Sequence, residues 1–124
     1  MKDTRPQNLN LFSIKWPLAA ITSITHRISG VFIFLGTALL LYLLEMSLES
    51  EAGFARVVEL VSSPFGKLVI WAVVSGLLYH LVAGIKHLAM DLGIGETKEG
   101  SLRGAQLTLV VAGIAIIIAG VWIW

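Results

Sequence analysis

Hydrophobic and polar positions in this chain do not alternate; they segregate into blocks. Three stretches lack Asp, Glu, Lys and Arg altogether: Ile28 to Leu44, Leu68 to Ile85 and Gly104 to Trp124. Each is close to the ~20 residues that a helix needs to cross a hydrocarbon core of about 30 Å. The pattern predicts three membrane-spanning helices, at about 22–46, 65–90 and 103–124. Met1 to Lys15, with Pro6 and the polar Gln7, Asn8 and Asn10, reads as an irregular arm, and Pro17 suits the first turn of a helix. Between Glu45 and Gly66, the residues Phe54, Val57, Val58 and Val61 recur at helical spacing. They predict a short amphipathic helix lying on the membrane surface. Ser62-Ser63-Pro64 opens the second span, with Pro64 as an early helical residue. Asp91 to Ser101 is a charged, glycine-rich turn into the third span. There Ala112, Ala115 and Ala119 form a small-residue stripe suited to close packing and no other chemistry.

Composition turns this pattern into a class. Of 124 residues, 56% are hydrophobic and 14% charged, and the mean hydropathy is +0.85. A soluble domain of this size leaves much of its surface exposed and could not hide so much apolar area. The expectation is an all-α integral membrane protein, one three-span domain over residues 1–124. The first apolar run starts late, after a polar lead with two prolines, so no cleaved signal is expected. With no cysteine, this chain makes no disulfide, no iron–sulfur ligation and no covalent c-type haem link. A net charge of +1 says little about partners; no nucleic-acid partner is expected. The placement of charge says more. Lys2, Arg5, Lys15 and Arg27 precede the first span, and Lys86, Lys98 and Arg103 lie between the second and third. The first connection instead carries Glu45, Glu49, Glu51 and Glu59 against Arg56 and Lys67. The positive-inside rule puts the N-terminus and second loop in the cytoplasm and the C-terminus on the opposite side. Trp16 near the inner boundary, and Tyr42, Trp71, Trp122 and Trp124 near the outer one, agree.

The chemistry concentrates on a few polar side chains. His80 sits inside the second apolar run, about 9 Å in from Lys86 and about 20 Å from Lys67 along a helix. An ionisable group at that depth marks a functional site by default. Three roles are open to it: a hydrogen bond between helices, a proton relay, or an axial haem ligand. Gly76 and Gly84, one turn to each side, would clear the helix face for a flat porphyrin. His87 shares that face about 10 Å away and would meet a propionate, too far to bind the same iron. His26 is expected at the inner boundary with His87, so a second axial ligand at the depth of His80 should come from another polypeptide.

The first span opens with Ser23-Ile24-Thr25-His26-Arg27-Ile28-Ser29-Gly30. Ser23 and Arg27, four residues apart, point the same way, while His26 faces a neighbouring sector. Arg27 alone would read as a snorkelling anchor. Clustered with Ser23 and His26 it suits a polar head group: a quinone carbonyl, a haem propionate or a lipid phosphate. A hydroxyl and a cation beside a quinone carbonyl would stabilise the charge that grows on reduction. Asp91, four residues past His87, either orients that imidazole or Arg27, or is a solvated charge beyond the helix end.

Four pieces in order now resemble one family: Arg5-Pro6 with Asn8-Leu9; the S-x-x-H-R-x-S-G run from Ser23 to Gly30; the H-x-x-x-G-x-x-H spacing of His80, Gly84 and His87; and Asp91. Together with the three spans they are similar to the cytochrome b556 membrane anchors of succinate dehydrogenase, respiratory complex II. The resemblance implies a subunit of a succinate:quinone oxidoreductase in the bacterial cytoplasmic (inner) membrane, with no catalytic residue in this chain alone. It implies partnership with a second three-span anchor subunit, an iron–sulfur subunit and a flavoprotein subunit, which hold the FAD and iron–sulfur clusters. Haem b would be shared with the second anchor, His80 supplying one axial ligand. Ser23 and Arg27 match the ubiquinone-binding positions, and His26, Arg27 and His87 match positions near the haem propionates. Rivals in reading are the anchor of a quinol:fumarate reductase, a structural anchor whose haem serves assembly only, and an unrelated helical membrane protein whose histidine is simply hydrogen-bonded.

Overall fold

The computed structural model describes residues 10–124; Lys2, Arg5-Pro6 and Asn8-Leu9 of the sequence reading lie outside them. Four helices follow one another: α1 (Leu18–Glu49), α2 (Glu51–Ser62), α3 (Pro64–Asp91) and α4 (Lys98–Ile123). Before them Ser13 N–H closes a turn on the Asn10 carbonyl, and the Trp16 indole N–H reaches the Leu11 carbonyl at 3.2 Å. The helices α1, α3 and α4 are each long and apolar enough to cross a membrane, so the protein is a three-span, all-α membrane protein.

Local signals explain the boundaries. Pro17 stands at the N-cap of α1, and the short α2 starts where the Ser50 hydroxyl accepts from Gly53 N–H. The Ser63 hydroxyl caps α3 through Gly66 N–H, with Pro64 as its first residue, where a missing N–H costs nothing. Gly93 and Gly95 take φ of 81° and 74° in the turn after α3, a region open to glycine. The Thr97 hydroxyl then caps α4 through Gly100 N–H. All three long helices overrun the spans expected from charge, α4 by about a turn at its start. A helix satisfies its own backbone whether lipid or water surrounds it, so it need not stop where charges begin.

The helix α3 is central, packing against both α1 and α4, while α1 and α4 also touch. The seams are made of small and polar residues. On α1 the buried residues are Thr22, Ser29 and Gly36; on α4 they include Ala105, Ala112 and Ala119, with Thr108 between. Both sets repeat every seven residues, the period of a left-handed helix pair. Lipid tails give helices no hydrophobic reason to associate, so close backbone approach and hydrogen bonds must do it. Gly36 leaves room for Val73, whose Cγ1 lies only 2.9 Å from where a Cβ would stand. Trp71 donates from Nε1 to the Ile116 carbonyl at 3.0 Å, its ring lying over Gly120. Large side chains such as Phe34, Leu35, Ile117 and Val121 face outward.

Candidate functional site

The α1–α3 seam brings the three histidines together. His26 lies between the other two, its ring stacked on His80 at 4.2 Å between centroids and on His87 at 4.8 Å, with interplanar angles of 19° and 18°. Placing His26 at the boundary with His87 alone was therefore incomplete: it reaches both. Its Nε2 is buried without a hydrogen-bond partner among the described residues. Both α3 imidazoles are tied through Nδ1. Nδ1 of His80 lies 3.0 Å from Ser29 Oγ and 3.2 Å from the His26 carbonyl, and Nδ1 of His87 lies 2.6 Å from the Ala83 carbonyl. A carbonyl oxygen only accepts, so the proton of each ring belongs on Nδ1 and the lone pair on Nε2.

Sequence reasoning passed over the residues that hold this arrangement. Ser29, 8% exposed, donates its hydroxyl to the His26 carbonyl at 2.7 Å while facing His80. One turn nearer the chain start, the Thr25 hydroxyl pairs with the Tyr79 hydroxyl, fastening α1 to α3 next to His80. The readable signal was the position of Ser29, seven residues after Thr22 and seven before Gly36 on one helix stripe.

The glycines behave differently from expectation. Gly76 and Gly84 do not leave an open face: the Phe32 ring fills the space over Gly76, and His26 Nε2 stands 3.4 Å from a Cβ on Gly84. On the facing helix, Gly30 admits the His80 ring, with Cε1 3.2 Å from its would-be Cβ. Close packing of α1 on α3 thus uses the room that the single-helix pattern offered to a ligand.

Ser23 and Arg27 lie on α1 at the same end of the seam, Ser23 half-buried and Arg27 exposed. Neither has a hydrogen-bond or ion-pair partner among the described residues. Asp91 is exposed at the last residue of α3, and Nδ1 of His87 is held by the Ala83 carbonyl. Among the described residues no three His, Cys, Asp or Glu side chains form a group that could hold a metal ion.

The chain matches the family model of the succinate dehydrogenase/fumarate reductase transmembrane subunit over residues 1–121. It is similar to the succinate dehydrogenase cytochrome b556 subunit of Coxiella burnetii, 44% identical with both chains covered completely. The subunit of the same name from Paracoccus denitrificans is 34% identical, over 85% of this chain and 81% of that one. Rickettsia felis has another at 30% identity, over 73% and 70%. With three membrane helices and a match along nearly its whole length, the chain belongs to the succinate dehydrogenase/fumarate reductase transmembrane subunits, of the cytochrome b556 type.

Proposed function

We propose that this subunit anchors a succinate:quinone oxidoreductase in the bacterial inner membrane, binds haem b jointly with a second three-span anchor, and contributes to the ubiquinone-reduction site. Its cytoplasmic end, by the excess of basic residues, is the end of Ser23, Arg27 and His87, where iron–sulfur and flavoprotein subunits would dock. The orientation of His80 carries the haem role. Its Nδ1–H is spent on Ser29 and the His26 carbonyl, which leaves the Nε2 lone pair for iron, as is usual for metal-bound histidines. The donor chemistry therefore fits a haem axial ligand. His26 is stacked 4.2 Å from His80 in the same seam, and a second ligand to the haem iron would come from the partner anchor, as the family resemblance implies. Haem b would supply one-electron redox capacity beside the quinone site.

The remaining roles belong to this chain's own groups. The Arg27 guanidinium and the Ser23 hydroxyl, both without partners among the described residues, would hydrogen-bond a quinone carbonyl and stabilise charge developing on its oxygen. Arg27 would donate to a haem propionate, with His26 and His87 in its vicinity. The test is the haem of the complex purified with all its subunits. His80→Ala should remove the haem absorption and lower the iron content while the subunits still co-purify. Unchanged absorption and iron would overturn the haem assignment. The family description covers fumarate reductase as well; comparison of succinate-oxidising and fumarate-reducing rates separates the two directions.

A further inference from the structure

On the far side of α3 from α1's histidine seam, α3 and α4 enclose a second feature near the α3–α4 turn. It is a cavity of about 360 Å³ lined by Val82, Ile85, Ala89, Leu107 and Val111, with Lys86 as its charged member. Its size falls at the lower end of the range for small-molecule sites. The end of the cavity is shaped by glycines. Gly95, at φ 74°, folds the turn back until its Cα lies 2.9 Å from a would-be Cβ on Gly100. Gly104 lets the methylene stem of Lys86 lie along α4, with Cε 3.5 Å from its would-be Cβ. Lys86 has no acidic partner among the described residues, whereas Glu99 pairs with Arg103 at 2.6 Å. Several of the wall residues (Ile85, Leu107 and Val111) are exposed on the outer surface of the bundle.

We propose that this α3–α4 groove binds an anionic phospholipid, one acyl chain against the apolar walls and the headgroup phosphate on Lys86. Charge complementarity selects this occupant. The walls suit an alkyl chain, the lone ammonium stands at the basic end of the bundle, and basic pockets between membrane helices on the cytoplasmic side favour anionic head groups. A partner helix would bring no requirement for an unpaired cation in the lining.

The test uses the complete complex in nanodiscs of phosphatidylcholine containing a minor fraction of spin-labelled phosphatidylglycerol, with spin-labelled phosphatidylcholine as the comparison. The wild type should hold an immobilised phosphatidylglycerol component. Lys86→Gln should weaken its association about fivefold, as expected for one basic residue at an anionic surface. Lys86→Arg should retain it, and neither should alter the phosphatidylcholine signal. Val111→Phe, which fills the groove without touching the charge, should also reduce it. Equal association in wild type and Lys86→Gln, equal immobilisation of both lipids, or no effect of Val111→Phe would overturn the proposal, leaving the groove to a partner helix or to unspecific solvation.

Discussion

Ser29 Oγ on α1 lies 3.0 Å from His80 Nδ1 on α3 and donates to the His26 carbonyl 2.7 Å away, so one hydroxyl is fixed by its own helix and in turn fixes a ring on the next. Because Ser29 already gives its proton to a carbonyl, its lone pair is free to accept the Nδ1–H of His80. Ser29→Ala leaves only the 3.2 Å contact to the His26 carbonyl. The fold should survive, since a single hydrogen bond is worth about 1 kcal/mol. Haem retention should weaken about tenfold, the low end for losing a group that orients a ligating histidine. Haem loss to an apo-protein acceptor, followed spectroscopically, measures it; identical rates for wild type and variant would show that the serine does not orient the ring.

The glycines of the α1–α3 seam should respond in proportion to what stands against them. A Cβ on Gly76 would fall 2.6 Å from Phe32 Cδ1, and one on Gly30 would fall 3.2 Å from His80 Cε1. Gly76→Ala therefore requires the Phe32 ring to move, and overpacking of this kind costs about 1–3 kcal/mol. Phe32→Leu should recover much of that loss in the double variant, because the two sites share one contact and their effects cannot add. Thermal or denaturant unfolding of the four proteins in one detergent provides the cycle. Additive losses would place the Gly76 effect somewhere other than Phe32.

The difference between what the residues foretold and what the structure adds follows from the range of the interactions. The Ser63 cap with Pro64, the amphipathic α2 and the three apolar helices depend on neighbours within a few turns, so all were legible. The start of α4 was less so: absence of charge marks lipid, whereas the helix starts at Lys98 on the Thr97 cap. The site was readable as a set of residue types and not as an arrangement. Ser29 and His80 are 51 residues apart, and only the antiparallel register that also sets Gly36 against Val73 brings them together. For the same reason Gly76 and Gly84 look open when α3 is read alone. Nothing in one helix's periodicity says that Phe32 and His26 of another helix will fill them.

The α3–α4 pair depends on Trp71 in a way that can be divided in two. Its Nε1–H bonds the Ile116 carbonyl, and its ring covers Gly120, where a Cβ would lie 3.1 Å from Nε1. Trp71→Phe removes the donor but keeps an aromatic ring, so the loss should be small, about 0.6 kcal/mol as for typical hydrogen bonds between membrane helices. Gly120→Leu forces bulk against the indole and should cost more, about 1–3 kcal/mol. Unfolding in mixed micelles ranks the two. A larger loss for Trp71→Phe would mean that the hydrogen bond, rather than close approach, holds α4.

Arg27 separates a quinone-site role from an anchoring one. It is exposed, has no partner among the described residues, and lies one turn beyond the half-buried Ser23 on the same face of α1. A snorkelling anchor needs only charge, and Lys supplies that. A group that stabilises developing charge on a quinone oxygen needs its N–H donors held at that oxygen, and the Lys ammonium, on a different stem, does not stand where the Arg guanidinium does. Arg27→Leu should lower quinone reduction by the complex about 100-fold, the size typical for removing one such donor. Succinate oxidation by a dye that bypasses the quinone should be nearly unchanged, because that reaction would need only the peripheral subunits. Arg27→Lys should likewise leave assembly intact and recover quinone reduction only in part. Full recovery by Lys would leave Arg27 as an anchor alone, and parallel loss of quinone and dye activities in Arg27→Leu would trace the defect to assembly.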